Sequence, residues 1–396
     1  MAFGFNLGFT RVPTRAVGLD IGTSAVKAVE IRRRGRTMHL VAVGTAPTPK
    51  GAIKDGVILD PEAVAGAIRA ALDGGRIRHK EVFAAVAGQG IVVRNVILPR
   101  MPREELAEVI KWEAERYVPY SLDEAAFDFD IVREVAATGG TGGARERDME
   151  VLIVACPRAL VESHVTALSA AGVRPKVLDV QPLVLHRALG MRRRSPAGTG
   201  PDRLVAYVDI GAGTTDIAFY RGEHLRFTRI IGTGGRNLTE AISSALAISI
   251  EEAEKVKLAR GRLNAGLPVQ ASNTSEVDPV ERAMIPVVKG LAAEIRRSIE
   301  YFSSEIRSID RGANVDEDTG RPEIILTGGS AGLPGLPAFI EAETGFVTAL
   351  GNPLENLVSD WHGAATITGH TSASPIEIAP SLSVAVGLGL RGLDVA

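Results

Sequence analysis

At 396 residues the chain is long enough for two or three units, each able to bury its own core. Its 45% hydrophobic and 23% charged residues are ordinary for a globular protein, and a net charge of −2 argues against a nucleic-acid binder, which carries a basic excess. The single cysteine, Cys156, excludes a disulfide framework, fits a reducing cytoplasm, and reads as a small core residue.

No stretch of the sequence approaches the roughly 18 apolar residues of a membrane span. The N-terminal run MAFGFNLGFTRVP is too short for a signal peptide. Its alternating Phe3, Phe5, Leu7 and Phe9 read as a loosely packed terminus, with a membrane or partner contact as the alternative. Strands are expected at 15–20, 25–31 and 38–45, joined by short turns. A helix follows at 61–73, with Ala65, Ile68 and Leu72 on one face, then a strand at 82–87. The next segment fits an inserted module: a strand at 91–98, a helix at 103–117, strands at 126–135 and 149–155, and a helix at 158–171 ended by Gly172. The run ATGGTGGARER (137–147) reads as a surface loop and MRRRSPAGTGPD (191–202) as a linker.

Strands at 204–209, 215–220 and 225–231 then repeat the first three. The repeat includes the loop, DIGTSAVK at 20–27 and DIGAGTTD at 209–216, so the chain is internally duplicated at a spacing of 189 residues (20 to 209). Helices at 237–247 and 251–260 lead to a polar stretch at 264–279. A long helix at 284–308, a strand at 323–327, a helix at 335–343 and a small-residue-rich helix in SLSVAVGLGLR complete the chain.

A tight strand–turn–strand rich in Gly, Ser and Thr turns successive N–H groups toward an anion. Gly22, Thr23 and Ser24 form one such loop; Gly211, Ala212, Gly213, Thr214 and Thr215 form the other. Each begins with an aspartate at a strand end, Asp20 and Asp209. Two converging carboxylates suit Mg²⁺, contacted mainly through its waters. One loop alone is a common turn; two in matched settings point to a phosphate clamp. A third element, ILTGGSAGLPGL (325–336), brings Gly328, Gly329 and Ser330 to a strand end where a flat adenine can lie on the backbone.

These three elements, in this order, resemble the actin-like ATPase superfamily over almost the whole chain. The runs VILPRMPREELAEVIKWEAERYVPYSLDEAAFDF (96–129) and VDIGAGTTDIAFYRGEHLRFTRIIGTGGRNLTEAI (208–242) are most similar to the PilM family of type IV pilus assembly, itself similar to the cell-division protein FtsA. The resemblance implies an α/β actin-like fold: two duplicated domains around a nucleotide cleft, with an FtsA-like 1C (SHS2-type) insertion. The implied division is 1A at 1–87 plus 180–200, 1C at 88–179, 2A at 201–232 plus 322–396, and 2B at 233–321. Residue by residue, it implies that Lys27 contacts the β- and γ-phosphates and that Asp216 lies near the metal beside Asp20 and Asp209. It also implies that Gly234 and Gly235 line the nucleotide, and that Glu254 and Lys257 hold ribose and adenine. From the residues alone, that last pair also reads as a solvated i, i+3 ion pair.

Relatives that hydrolyse ATP often carry Glu-Pro where this chain has Gln181-Pro182. A glutamine orients water but cannot take its proton, so hydrolysis is expected to be slow at best, with Gln181 and Asp209 as the catalytic candidates. Asp179, on the same face if the segment stays extended, is the reserve. The implied cofactors are ATP and Mg²⁺. The implied partner is the cytoplasmic N-terminal tail of a PilN-like membrane protein, bound between 1A and 1C, with 91–98 and 103–117 as candidate lining; other pilus platform proteins, pilus ATPases and self-association are further implied contacts, membrane contact is then indirect and nucleic acid is not expected. The competing expectations are an FtsA-like division protein and a small-molecule kinase or ATPase of the same fold.

Overall fold

The computed structural model describes residues 13–136, 147–190, 204–264, 277–309, 321–361, 365–367, 370–372 and 378–394. The N-terminal Phe-rich run, the linker at 191–202, nearly all of the loop at 137–147 and most of the polar stretch at 264–279 lie outside these residues.

In the first half, β1 (Arg15–Ile21), β2 (Ala25–Arg34) and β3 (Thr37–Pro47) form an antiparallel meander, because apolar residues alternate through them and short turns join them. A small hairpin, β4 (Ile53–Lys54) and β5 (Val57–Ile58), precedes α1 (Pro61–Gly74). Asp60 caps that helix by accepting from the Ala63 N–H at 3.0 Å, and Pro61 opens it. Then come β6 (Glu81–Val86), β7 (Val92–Pro99), α2 (Arg103–Ala114), β8 (Ala125–Ala136), β9 (Arg147–Pro157), α3 (Arg158–Ala170), β10 (Arg174–Val180) and α4 (Gln181–Leu189).

The second half repeats the opening with β11 (Leu204–Ile210), β12 (Thr215–Arg221) and β13 (His224–Ile231). It continues with α5 (Gly235–Leu246), α6 (Ile250–Arg260), α7 (Pro279–Ile309), β14 (Glu323–Thr327), α8 (Leu336–Thr344), β15 (Thr348–Leu350), β16 (Leu357–Ser359), β17 (Ala365–Ile367), β18 (His370–Ser372) and α9 (Ser383–Asp394). Helix α7 starts earlier than its apolar stripe suggests, since Asp278 Oδ1 accepts from the Val280 N–H at 2.9 Å and fixes its first turn.

The duplication extends beyond the meanders. One sheet runs β10-β6-β1-β2-β3-β16 and the other β13-β12-β11-β14-β15. Read outward from the meander, 3-2-1-6-10 in the first sheet corresponds to 13-12-11-14-15 in the second, with β1, β6 and β10 parallel, as are β11, β14 and β15. Helices α1 and α3 pack with Val17, Leu19, Val26 and Ala28 on one face of the first sheet. Helices α5, α7 and α8 cover the outer face of the second, over Ala206, Val208, Phe219 and Leu326.

Between the two sheets lie α4 and α9, in one core with Val29 and Ile31 of the first sheet and Tyr207 and Tyr220 of the second. The C-terminal helix was expected within the second half; it packs on the first sheet instead. Its small residues permit this. A Cβ on Gly18 of β1 would lie 1.9 Å from the Ala385 carbonyl oxygen, and one on Gly387 would lie 2.1 Å from that of Val184 on α4. Backbone-to-backbone contact of this kind admits only glycine.

Strands β7, β9 and β8 form a separate three-stranded sheet, covered by α2 through Leu106, Ile110 and Ala114. The expected strand, helix, two strands and helix are found in that order, followed by β10. Its last two elements leave this module, however: α3 packs against α1, and β10 pairs in parallel with β6.

Candidate functional site

The two meanders bring their loops together with the same register. Asp20 stands opposite Lys27 across β1 and β2, and Asp209 stands opposite Asp216 across β11 and β12. Each loop is closed by one backbone bond, from Gly22 N–H to the Ala25 carbonyl at 3.1 Å and from Gly211 N–H to the Thr214 carbonyl at 2.9 Å. Among the described residues, the N–H groups of Thr23, Ser24, Ala212 and Gly213 make no protein bond. The loops face tip to tip: a Cβ on Gly213 would lie 3.9 Å from Thr23 Oγ1. Thr48, not singled out from the sequence, braces the first loop by donating its hydroxyl to the Gly22 carbonyl at 2.6 Å and its N–H to the Ser24 carbonyl at 3.0 Å. Thr215 does the same in the second half, its hydroxyl donating to the Thr233 carbonyl at 2.7 Å.

The charges differ between the loops. Lys27 Nζ is 2.7 Å from Asp20 Oδ2 and neutralises it. Asp209 accepts from Gln181 Nε2 at 2.6 Å, which joins the two halves across the cleft. Burial, with Asp20 nearby, pushes the Asp209 carboxyl up to about 6. Burial and the Asp209 charge push Asp216 up to about 7, although it accepts from Thr214 Oγ1 at 3.2 Å. Among the described residues, no three acidic, His or Cys side chains stand close enough to ligate a metal directly. The arrangement fits a hydrated cation: the buried carboxylates repel one another, and Mg²⁺ keeps several waters. The unpaired N–H groups of both loops fit phosphate oxygens.

Gln181 reaches Asp209 because α4 is held on the second sheet. His186 stacks on Tyr220 with ring centroids 4.2 Å apart, and Tyr220 Oη donates to the Pro182 carbonyl at 3.1 Å. Asp179 does not share Gln181's side. The chain turns into α4 at Gln181, so strand alternation ends there, and Asp179 Oδ2 is held by Arg391 of α9 at 3.3 Å.

The third element closes over the second loop. Gly328 has φ +92°, and a Cβ there would lie 2.2 Å from Asp209 Oδ1, so only glycine fits. Gly329 is open on its Cβ side. Ser330 donates its N–H to the Ile210 carbonyl at 3.0 Å and its hydroxyl to that of Gly211 at 3.3 Å. Gly234 and Gly235 lie against the same loop: Gly235 N–H donates to the Gly211 carbonyl at 2.9 Å.

Glu254 and Lys257 are more than a solvated pair. They sit 2.7 Å apart, and Lys257 Nζ also donates to the Gly235 carbonyl at 3.0 Å and to Thr239 Oγ1 at 2.8 Å. Thr239, whose hydroxyl also reaches Glu254, is a second residue the sequence reading missed. Its signal was its place one helical turn after Gly235.

Comparison with known proteins agrees with this geometry. A solved structure titled "PilM-PilN type IV pilus biogenesis complex" superposes with a TM-score of 0.77 at 29% identity, covering 97% of this chain and 100% of that one. The ethanolamine utilization protein EutJ of Carboxydothermus hydrogenoformans shares the fold, with a TM-score of 0.53 at 18% identity over 96% of this chain and 90% of its own. Among curated proteins, the cell division protein FtsA of Streptococcus pneumoniae is 27% identical over 81% of this chain and 71% of its own length. That of Escherichia coli K12 is 25% identical over 94% and 89%. Residues 18–393 match the family described as type IV pilus assembly protein PilM, so the chain belongs to that family and has its actin-like, FtsA-like ATPase fold.

Proposed function

We propose that the chain is a cytoplasmic, nucleotide-dependent scaffold of the type IV pilus assembly platform. ATP lies between the two loops, with phosphates on the N–H groups of Thr23, Ser24, Ala212 and Gly213 and on Lys27. Mg²⁺ lies among Asp20, Asp209 and Asp216 through water, and the nucleoside reaches Gly234, Gly235, Glu254, Lys257 and Gly328–Ser330. The observation that carries this reading is the pair of loops meeting tip to tip with unpaired donors and buried carboxylates.

The partner is the N-terminal tail of a PilN-like membrane protein, held between the first sheet and the small module. Likeness to the solved PilM–PilN complex supports it. Through that tail the chain sits at the membrane face. For the division of the chain, the packing supports a 1C unit ending near β9, with α3, β10 and α9 grouped in 1A.

Gln181 acts as a latch more than a base. Its amide already donates to Asp209, so it bridges the halves, whereas a glutamate there would add a third carboxylate. Hydrolysis is accordingly slow or absent. The test is capture of purified chain by a PilN-like tail peptide, with and without Mg-ATP. Capture that strengthens with Mg-ATP is expected; none in either condition overturns the assignment.

A further inference from the structure

Around the proposed nucleotide space, the contacts between the halves grade from buried to exposed. Innermost, Gln181 donates to the buried Asp209. Next, the two loops meet tip to tip at Thr23 and Gly213. Outermost, Lys50 Nζ donates to Glu251 Oε1, pairing a turn of the first half with helix α6 of the second. The side chains of Lys50 and Glu251 are 81% and 59% exposed, so this pair stands in solvent.

Each residue is fixed to one wall of the cleft. Lys50 lies two residues beyond Thr48, whose hydroxyl and N–H hold the first loop. Its turn is closed by the Ala52 N–H, which donates to the Pro49 carbonyl at 3.1 Å. Gly51, at φ +74°, takes the left-handed third position that a type II turn requires. Glu251 stands in the first turn of α6. Ser249 caps that turn by accepting from the Glu252 N–H at 3.2 Å, and Glu252 Oε2 accepts from the Ser249 N–H at 3.0 Å. One turn further along the same face is Glu254, paired with Lys257. The Lys50–Glu251 pair therefore runs from the brace of the first loop to the helix that carries the proposed nucleoside contacts.

We infer that Lys50 and Glu251 form a clasp across the mouth of the cleft, one that opens for each exchange of nucleotide. The clasp presupposes that the cleft holds nucleotide, as proposed. An exposed ion pair contributes little and is screened by salt. That weakness suits a contact that must break repeatedly. The Gln181–Asp209 bond and the core around α4 and α9 hold the halves together throughout. Because the clasp lies outside the phosphate and nucleoside contacts, it governs rates. Losing it lets nucleotide enter and leave faster, and affinity changes less than either rate.

The test loads the full chain with N-methylanthraniloyl-ATP and Mg²⁺ and follows release during a chase with excess ATP. Lys50→Glu sets two carboxylates face to face and should speed release roughly two- to fivefold at low salt. Glu251→Ala should do so to a smaller degree. Lys50→Glu combined with Glu251→Lys restores opposite charges and should bring release back toward the parent rate. Raising salt should speed release from the parent more than from Glu251→Ala. Lys50→Cys with Glu251→Cys supplies a covalent version. Joined by a short bismaleimide after loading, it should show no release in the time the unjoined protein takes to empty. Cys156, the only native cysteine, is buried and should not compete for the reagent. A parent that retains no nucleotide overturns the reading of the cleft, and the clasp with it. A parent that retains nucleotide, with release unaltered by Lys50→Glu, unrestored by the charge exchange or unimpeded by the cross-link, overturns the clasp alone.

Discussion

Lys27 and Asp216 occupy equivalent positions in the two copies of one hairpin, each opposite the leading aspartate. In the first copy a cation pairs with the leading aspartate; in the second both positions are buried carboxylates, and burial, with Asp20 acting on Asp209 and Asp209 acting on Asp216, favours their protonated forms. Asp209 and Asp216 therefore hold protons up to about 6 and about 7, above the ordinary carboxylate value of 3.8. The stability that follows from these raised values is fully present below about pH 4 and is lost as pH rises through 6 and 7. Without nucleotide and metal, the protein should thus lose stability from pH 4 to pH 7.5, which thermal melts across that range would show. Asp216→Asn removes the charge and should stabilise the ligand-free protein at pH 8 by roughly 1–3 kcal/mol, while flattening that pH dependence. No change in the melting profile would contradict the assignment of cause. Asp209→Ala should abolish retention of Mg-ATP in a fluorescent-nucleotide assay and leave the far-ultraviolet circular dichroism intact.

The elements between the sheets carry the cleft. Helix α9 touches the nucleotide end of the second sheet, where Thr327 Oγ1 lies 2.6 Å from Ser383 Oγ, and the first sheet through Gly18. Gly387→Val would drive a methyl group into the Val184 backbone and should cost at least about 2 kcal/mol, read by chemical denaturation. The small module is tied to the second sheet by Glu150 of β9. Its carboxylate, 3% exposed, accepts from Arg226 Nη1 of β13 and from Arg133 Nε, each at 2.6 Å. Strand β13 leads directly to Gly234, so module and nucleotide site share one strand. Glu150→Ala should free the module, raising hydrogen exchange in β7 and β9 with a stability loss of about 1–3 kcal/mol. Unaltered exchange in those strands would show that the tie is not structural.

For the whole molecule, the nucleotide should act as a third layer of adhesion between the halves. At a hundred times its dissociation constant, a ligand that binds only the folded state stabilises it by about 2.7 kcal/mol. Mg-ATP should raise the melting temperature accordingly, and Asp209→Ala should erase the increment. The two loops, the third element and the duplicated meanders were readable because each depends on local chemistry: Gly, Thr and Asp at strand ends, and alternation between them. Thr48 was not, since a hydroxyl that braces a loop from a distant segment leaves no pattern near that loop, and Thr239 left only its place one helical turn after Gly235.

The sequence by itself determined the elements, the duplication and the residue types of the two loops proposed to meet phosphate and metal. Periodicity, turn chemistry and capping act within a few residues and need no partner to be recognised. Tertiary structure decided what lies between the halves. Gly18 and Gly387 look like ordinary glycines until α9 is seen crossing back to the first sheet. Asp179 looks like a neighbour of Gln181 until β10 turns into α4 and Arg391 claims it. Arg15, Lys80 and Arg174, far apart in the chain, come to one end of the first sheet only because β1, β6 and β10 run parallel.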